Sequence, residues 1–226
     1  MKRILVLGIL FSLLTSHFSP LNAEGIADVF TTMPDSIFPL LTARNRHDMV
    51  DFYRNKMEAK VRNRLNDYAR LDTLTNQYLH LTLSQSSEAT MRLLPTADST
   101  SIICLVQTVT TPIRDSQVRF YDSQWRQLSS VNLPTPATAD FFSNQPLLPA
   151  EEDGEDTDSL PLPTREGLQR SIDDLRLVEV TVSPDEPVFT LTLSVDELAQ
   201  DEKKVARRYI IPVRYRWTGS RFLPMP

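Results

Sequence analysis

Residues 78–84, YLHLTLS, place a leucine at every second position. Leu79, Leu81 and Leu83 alternate with polar side chains, and this period of two is typical of a β-strand that is buried on one face. Strand-like patterns recur in three further segments, at residues 91–94, 101–111 and 118–121. Each segment follows the previous one directly, so the pattern predicts an antiparallel meander.

The same order of elements appears twice along the chain. In the first half, Met49, Val50 and Tyr53 form an apolar stripe that predicts a helix, whereas residues 59–75 fit either a longer helix or short strands. In the second half, the stripe that includes Leu168 predicts another helix. The strands predicted after it span residues 178–182, 188–193, 209–217 and 221–223. The prediction is an α+β fold, with N-terminal helices and two successive units, each a helix and a four-stranded antiparallel sheet. The repeat is coarse, so a tandem repeat and coincidence both stay open.

Two hairpins rich in aromatic and basic residues close the two units. They read VRFYDSQWRQL at residues 118–128 and VRYRWTGSRFL at residues 213–223. Tyrosine, tryptophan and arginine are enriched at protein interfaces, which makes the hairpins the candidate interaction surface. The candidate residues are Arg119, Tyr121, Trp125, Arg214, Arg216 and Trp217. The alternation within each hairpin also fits aromatic side chains that pack inward with arginines outside, and this second interpretation is favoured.

The N-terminus has the pattern of a secretory signal peptide. Lys2 and Arg3 precede an apolar run over residues 4–14, and Ala23 is a small residue at the expected cleavage site. The run is too short to span a bilayer, which needs roughly 20 apolar residues. We therefore expect an exported chain that begins near Glu24, is periplasmic or extracellular, and has no transmembrane segment after cleavage.

Residues 131–163 interrupt the alternation with recurrent prolines and the acidic run EEDGEDTD at residues 151–158. This run lacks the ligand spacing of an EF-hand calcium loop, so it is interpreted as part of a solvated linker. The predicted organisation is a signal peptide at residues 1–23, a first unit at 24–130, a Pro-rich acidic linker at 131–163 and a second unit at 164–226.

Several segments of the first half resemble a known family. They are MPDSIFPLL at residues 33–41, NRHDMVDF at 45–52, IIC at 102–104 and FYDSQW at 120–125. These segments are similar to a family of secreted Bacteroidales proteins catalogued as a domain of unknown function, over residues 26–130. The resemblance implies export and common descent, and it implies no particular activity. Around residues 64–69 the relatives carry glycines that this sequence lacks.

The composition argues against several kinds of active site. The formal net charge of -5 is not expected of a nucleic-acid-binding protein, which needs clustered Lys and Arg. Cys104 is the single cysteine and lies in an apolar strand, where a buried hydrophobic role is expected rather than a reactive one. Beyond the leader the histidines are His47 and His80, too few for a zinc site, so neither metal nor other cofactor is expected.

Acidic residues leave one catalytic alternative open. Asp48 with Asp51, or Asp173 with Asp174, would supply a carboxylate pair if their side chains faced each other. The sequence favours a non-catalytic interaction module that binds an envelope or cell-surface protein, or a glycan. The alternative is a carboxylate-dependent hydrolase or a small-ligand-binding protein, so enzymatic activity stays an open question.

Overall fold

The structure is a computed structural model that describes residues 25–148, 164–174 and 176–226. The predicted signal peptide at residues 1–23 and the acidic run at residues 151–158 lie outside the described residues. Both therefore stay predictions from the sequence.

The described residues form an α+β fold, as predicted. The helices are α1 (Ile26–Thr32), α2 (Ala43–Arg54), α3 (Arg165–Asp174) and α4 (Gln200–Tyr209), with a 3-10 helix at Thr138–Phe141. The first sheet has the order β1 (Lys60–Arg62), β2 (Tyr68–Leu74), β3 (Tyr78–Ser84), β4 (Ser87–Pro95), β5 (Ser101–Val109) and β6 (Asp115–Tyr121). The second sheet contains β7 (Val178–Val182), β8 (Val188–Leu193), β9 (Val213–Trp217) and β10 (Phe222–Met225), in the order β10-β9-β8-β7. All strand pairs are antiparallel.

The first sheet differs from the predicted four strands because it has six. The ambiguous residues 59–75 form β1 and β2, and Asn66 in the turn between them has a φ of 62°. Asparagine tolerates this left-handed conformation better than most residues, so the turn forms without a glycine. The predicted second strand of the first hairpin is wrong, because Trp125 also has a positive φ and only Gln127 forms an isolated bridge back to Tyr121.

The segment between the two sheets packs against the second half. Residues 131–148 were expected to be part of a solvated linker, but Phe141 is completely buried and Phe142 is 5% exposed. The carbonyls of Tyr209 and Phe141 accept backbone hydrogen bonds from Ser143 and Ile211, which tie this segment to the end of α4. The strand predicted at residues 209–217 is shorter than expected, because α4 extends to Tyr209 and the strand begins at Val213.

The first sheet carries a core on each of its faces. On one face, Leu79, Leu81 and Leu83 are at most 5% exposed and join a core that includes residues of α1 and α2, which confirms the predicted alternation. On the opposite face, Cys104 and Phe120 belong to a second core shared with β7–β9, α3 and α4. The first sheet is therefore the layer between the N-terminal helices and the second sheet.

Polar contacts join the two sheets at their edges. The backbone N–H groups of Val178 and Val180 donate to the side chains of Asp115 (3.1 Å) and Ser116 (2.9 Å). The buried guanidinium of Arg92 donates to carbonyls in the turn between β7 and β8. These bonds satisfy polar groups at the junction, where an unpaired N–H would destabilise the fold.

Candidate functional site

The six predicted interaction residues fall into two groups, on β6 and on β9. Arg119 and Tyr121 share the helix side of β6, since their partners on β5 include the buried Leu105. Tyr121 is 4% exposed, and the half-buried Trp125 ring lies 5.4 Å from it between centroids. Both aromatic residues thus contribute to the first core, which limits the ring area they offer to a partner.

On β9 the aromatic Trp217 points inward and the two arginines point outward, as the favoured interpretation predicted. Trp217 is 4% exposed, and its indole N–H donates to the carbonyl of Pro95 at 2.7 Å. Arg214 and Arg216 are exposed on the other face, where Arg216 forms an ion pair with Glu186 at 2.7 Å. The six residues lie on different faces of the two sheets and do not form one common surface. An interaction role for them stays a prediction.

A groove of about 630 Å³ lies on the helix side of the first sheet, where β4 begins and β5 ends. We call it the glutamine groove, after Gln107 and Gln117, which form a cross-strand pair on its floor. One guanidinium nitrogen of Arg119 donates to the Oε1 atom of Gln107 at 3.0 Å, and another donates to Oε1 of Gln117. The predicted residue Arg119 therefore fixes how these two carboxamides point.

The loop before α2 forms one wall of the glutamine groove, through residues 38–40. Arg46 of α2 is 1% exposed and donates to the carbonyls of Met33 and Leu41 and to the carboxylate of Asp35. Thr42 and the third residue of α2 form a capping box that begins the helix directly after this loop. One buried side chain thus holds both ends of the loop, so the wall is fixed before any ligand arrives.

A charged cluster lies on the other face, where the two sheets meet. Arg114 binds both Glu88 and Glu179, the latter at 2.7 Å, and the Nε2 atom of His80 lies 4.0 Å from Glu88. Burial lowers the pKa of Arg114, but the hydrogen bonds and charges of the two glutamates outweigh it, so the pKa is raised above its ordinary value. The arginine is held charged between two carboxylates, which makes this cluster an ionic bridge between the sheets.

In each carboxylate pair named from the sequence, one aspartate binds a residue outside the pair. Asp48 forms an ion pair with Arg44 at 3.8 Å, and Asp173 accepts a hydrogen bond from the hydroxyl of Thr138. The second aspartate of each pair is exposed to solvent. His47 is also exposed on α2. None of these contacts creates a facing carboxylate pair.

An exposed surface that the sequence reasoning missed lies on β1 and β2. Lys60, Arg62, Tyr68 and Arg70 share one face, because Lys60 pairs with Arg70 and Arg62 pairs with Tyr68. We call these four residues the basic–aromatic face. Tyr68 is 45% exposed, and its ring centroid lies 4.5 Å from the Lys60 ammonium and 5.4 Å from the Arg62 guanidinium. The sequence feature that could have predicted this face is the alternation of basic or aromatic and apolar residues in KVR and YAR. These segments are too short for the alternation to distinguish a strand from a helix.

Within residues 25–148, 164–174 and 176–226, no helix combines the length and apolar character needed to cross a membrane. In the same residues, no three side chains of His, Cys, Asp or Glu cluster as metal ligands would.

Comparison with known proteins gives a family and a similar fold. A family model described as "Protein of unknown function (DUF3256)" matches residues 18–222. A solved structure, of a domain of an uncharacterized protein from Porphyromonas gingivalis W83, is similar with a TM-score of 0.68 and 25% sequence identity. The match covers 90% of this chain and 98% of that chain. No curated protein matches.

Proposed function

This chain belongs to the DUF3256 family, and from that premise we propose that it is an exported, non-catalytic interaction module. Its partner is an envelope or cell-surface protein, and the contact is made by an acidic segment of that protein on the basic–aromatic face. The observation that carries this proposal is the exposed Tyr68 ring in contact with two cations of β1.

The charges of this face favour an acidic partner. The chain carries a formal net charge of -5, so a cluster of three cations on two neighbouring strands stands out from the whole. The Arg62 guanidinium contacts the Tyr68 ring, and among the described residues it has no carboxylate partner. Carboxylates of a partner would complete its hydrogen bonds, and opposite charges also speed association.

The two remaining cations of the face have local acidic partners. Lys60 lies 4.0 Å from Glu58, and the carboxylate of Asp72 binds Arg70. The Lys60–Glu58 pair is exposed, and such pairs contribute about 0–1 kcal/mol, so a partner can replace it at little cost. Because β1 is the outermost strand of its sheet, a partner can reach these side chains from the edge.

The hydrolase alternative has less structural support than the interaction module. Glu88 and Glu179 approach each other closely enough to bind one arginine, but Arg114 occupies the position between them. A general acid or nucleophile needs a carboxyl group that is free to reach the substrate.

The binding proposal is tested with charge-matched variants of the mature chain. The probe is a fluorescein-labelled glutamate-rich peptide, and binding is followed by fluorescence anisotropy at low and high salt. We expect Lys60→Gln/Arg62→Gln to weaken binding about tenfold, whereas Arg54→Gln/Arg207→Gln, which removes the same charge from exposed ends of α2 and α4, leaves it unchanged. Equal losses in both double variants would mean that overall charge, and not this face, attracts the peptide.

The same variants identify the envelope partner. Crosslinking of the wild type and of the Arg54→Gln/Arg207→Gln control in cells should recover the same envelope protein, which the Lys60→Gln/Arg62→Gln variant loses. Recovery of that protein by all three forms would refute the role of the basic–aromatic face.

Export is tested separately at the N-terminus. Mass spectrometry of the protein from fractionated cells should find a first residue near Glu24 in the periplasmic or extracellular fraction. A Leu10→Arg change in the apolar run should leave the uncleaved chain inside the cell. Full-length protein in the cytoplasm of wild-type cells would contradict export and would leave the peptide-binding result unaffected.

A further inference from the structure

We propose that the glutamine groove is a second binding site, which takes a neutral saccharide. It lies on the helix side of the first sheet, opposite the basic–aromatic face, and is formed by different residues. Its volume of about 630 Å³ is within the usual size of small-molecule sites.

The donors of the site are fixed by Arg119. A guanidinium has only N–H donors, so it selects the Oε1 oxygens of Gln107 and Gln117 as acceptors. The NH₂ group of each carboxamide then points away from Arg119, and neither donates to any described residue. Two oriented donors side by side on neighbouring strands fit a ligand that presents several oxygen acceptors.

The acceptors of the site come from the strand ends. The hydroxyl of Ser87 exchanges a hydrogen bond with Ser84 at 2.7 Å, and one carboxylate oxygen of Asp115 accepts the N–H of Val178, which leaves its second oxygen available. Sugar hydroxyls both donate and accept, so they match a mixture of amide donors and carboxylate acceptors. The carboxylate of Asp115 in the lining disfavours an anionic ligand, whereas the carboxylate of Glu88 is bound by Arg114 on the other face.

A peptide chain fits this floor less well than a saccharide. The backbones of β4, β5 and β6 are paired with one another across the floor, in the registers Ser87–Val109 and Val109–Asp115. The outer edge of β6 faces β7, whose N–H groups already bind its side chains. Addition of a peptide strand therefore has no free edge here, and recognition depends on side chains alone.

Apolar walls complete the site. Phe38 and Pro39 line it from the loop that Arg46 holds, and Val109, which is 52% exposed, lines it from the floor. The C–H surfaces of a pyranose ring can pack against these side chains while its hydroxyls meet the carboxamides. Because the wall is fixed in advance, binding needs little ordering of the loop.

The experiment measures binding of defined saccharides to the mature chain by saturation-transfer NMR and calorimetry. The probes are neutral di- and trisaccharides built from glucose, galactose, mannose or N-acetylglucosamine, with sialyllactose and an alanine–glycine tripeptide for comparison. We expect at least one neutral saccharide to bind the wild type. The double variant Gln107→Met/Gln117→Met should bind that saccharide about tenfold more weakly. Gln77→Met, at the opposite end of β3 and β4, is the matched control and should bind like the wild type.

Arg119 is a positioning residue in this proposal. Arg119→Met leaves both glutamines in place but frees their carboxamides to rotate, so it should weaken binding of the same saccharide severalfold. The melting temperature of Arg119→Met should be close to that of the double glutamine variant. The proposal is overturned if no neutral saccharide binds at millimolar concentration, if only sialyllactose or the tripeptide binds, or if the double glutamine variant binds as well as Gln77→Met. The Lys60→Gln/Arg62→Gln variant should retain saccharide binding, which separates this site from the basic–aromatic face.

Discussion

Replacement of Arg46 by methionine tests whether one buried guanidinium holds the wall of the glutamine groove. The side chain is 1% exposed, and its donors reach two backbone carbonyls and the carboxylate of Asp35. Methionine fills much of the same space but donates no hydrogen bond. The carbonyls of Met33 and Leu41 would then lose their charged donor inside the protein.

The expected loss follows from these contacts. Each buried carbonyl left without its donor costs about 1–3 kcal/mol. The Asp35 carboxylate is 43% exposed, so solvent screens its ion pair and it adds little. Removing the buried charge also removes its desolvation cost, which offsets part of the loss. We expect the free energy of unfolding to fall by about 3 kcal/mol, which lowers the melting temperature by about 6–12 °C for a chain of this size.

The assay is thermal unfolding of the mature chain, followed by calorimetry and circular dichroism. Arg44→Met is the matched control, because Arg44 is 89% exposed and its ion pair with Asp48 spans 3.8 Å. It should change the melting temperature by no more than about 1–2 °C. If Arg46→Met melts within about 1 °C of the wild type, the proposed role of Arg46 in fixing the loop is wrong.

Three further predictions concern other parts of the fold. Trp217→Phe removes an indole donor from the carbonyl of Pro95 at the end of β4 and should lower the free energy of unfolding in urea by about 0.5–1.5 kcal/mol. Burial raises the pKa of the Cys104 thiol despite a nearby arginine, so iodoacetamide at about pH 8 should label it only after unfolding. Hydrogen bonds from two neighbouring threonines hold the pKa of Asp98 at about 2, against an ordinary value of 3.8. This lowered pKa stabilises the fold above about pH 4, and the stabilisation is lost as the pH falls toward 2. Asp98→Asn should therefore reduce the change in stability between about pH 4 and pH 2. The control Asp196→Asn, at an exposed position, should leave that change as it is in the wild type.

Each of these three predictions would be contradicted by a specific experimental result. Unchanged urea stability of Trp217→Phe would mean that water replaces the lost donor. Rapid alkylation of native Cys104 would contradict its burial, and parallel acid-unfolding curves for Asp98→Asn and the wild type would mean that the threonine bonds persist in the unfolded chain.

The best sequence predictions concerned alternation. Leu79, Leu81 and Leu83 are buried as expected, and Arg214 and Arg216 point away from the buried Trp217. These predictions succeeded because successive side chains of a strand point to opposite faces whatever the rest of the fold does.

The less successful predictions concerned short or irregular segments. Strand β1 has three residues, too few for a period of two to be recognised. The segment around Phe141 was interpreted as a linker because prolines and polar residues surround it, yet long-range packing on α3 and α4 buries it. Trp125 itself has a positive φ, and this conformation depends on the local backbone rather than on hydrophobic alternation.

The sequence by itself determined the class of fold, the faces of the long strands and the burial of Cys104, because these depend on local backbone geometry and on hydrophobicity. Only the tertiary structure decided which sheet faces are covered and which stay open. It also decided that Arg119 lies beside Gln107 and that Arg46 reaches both ends of its loop. Those contacts depend on the register between strands and on the packing of layers, and both are set by the free energy of many distant side chains acting together.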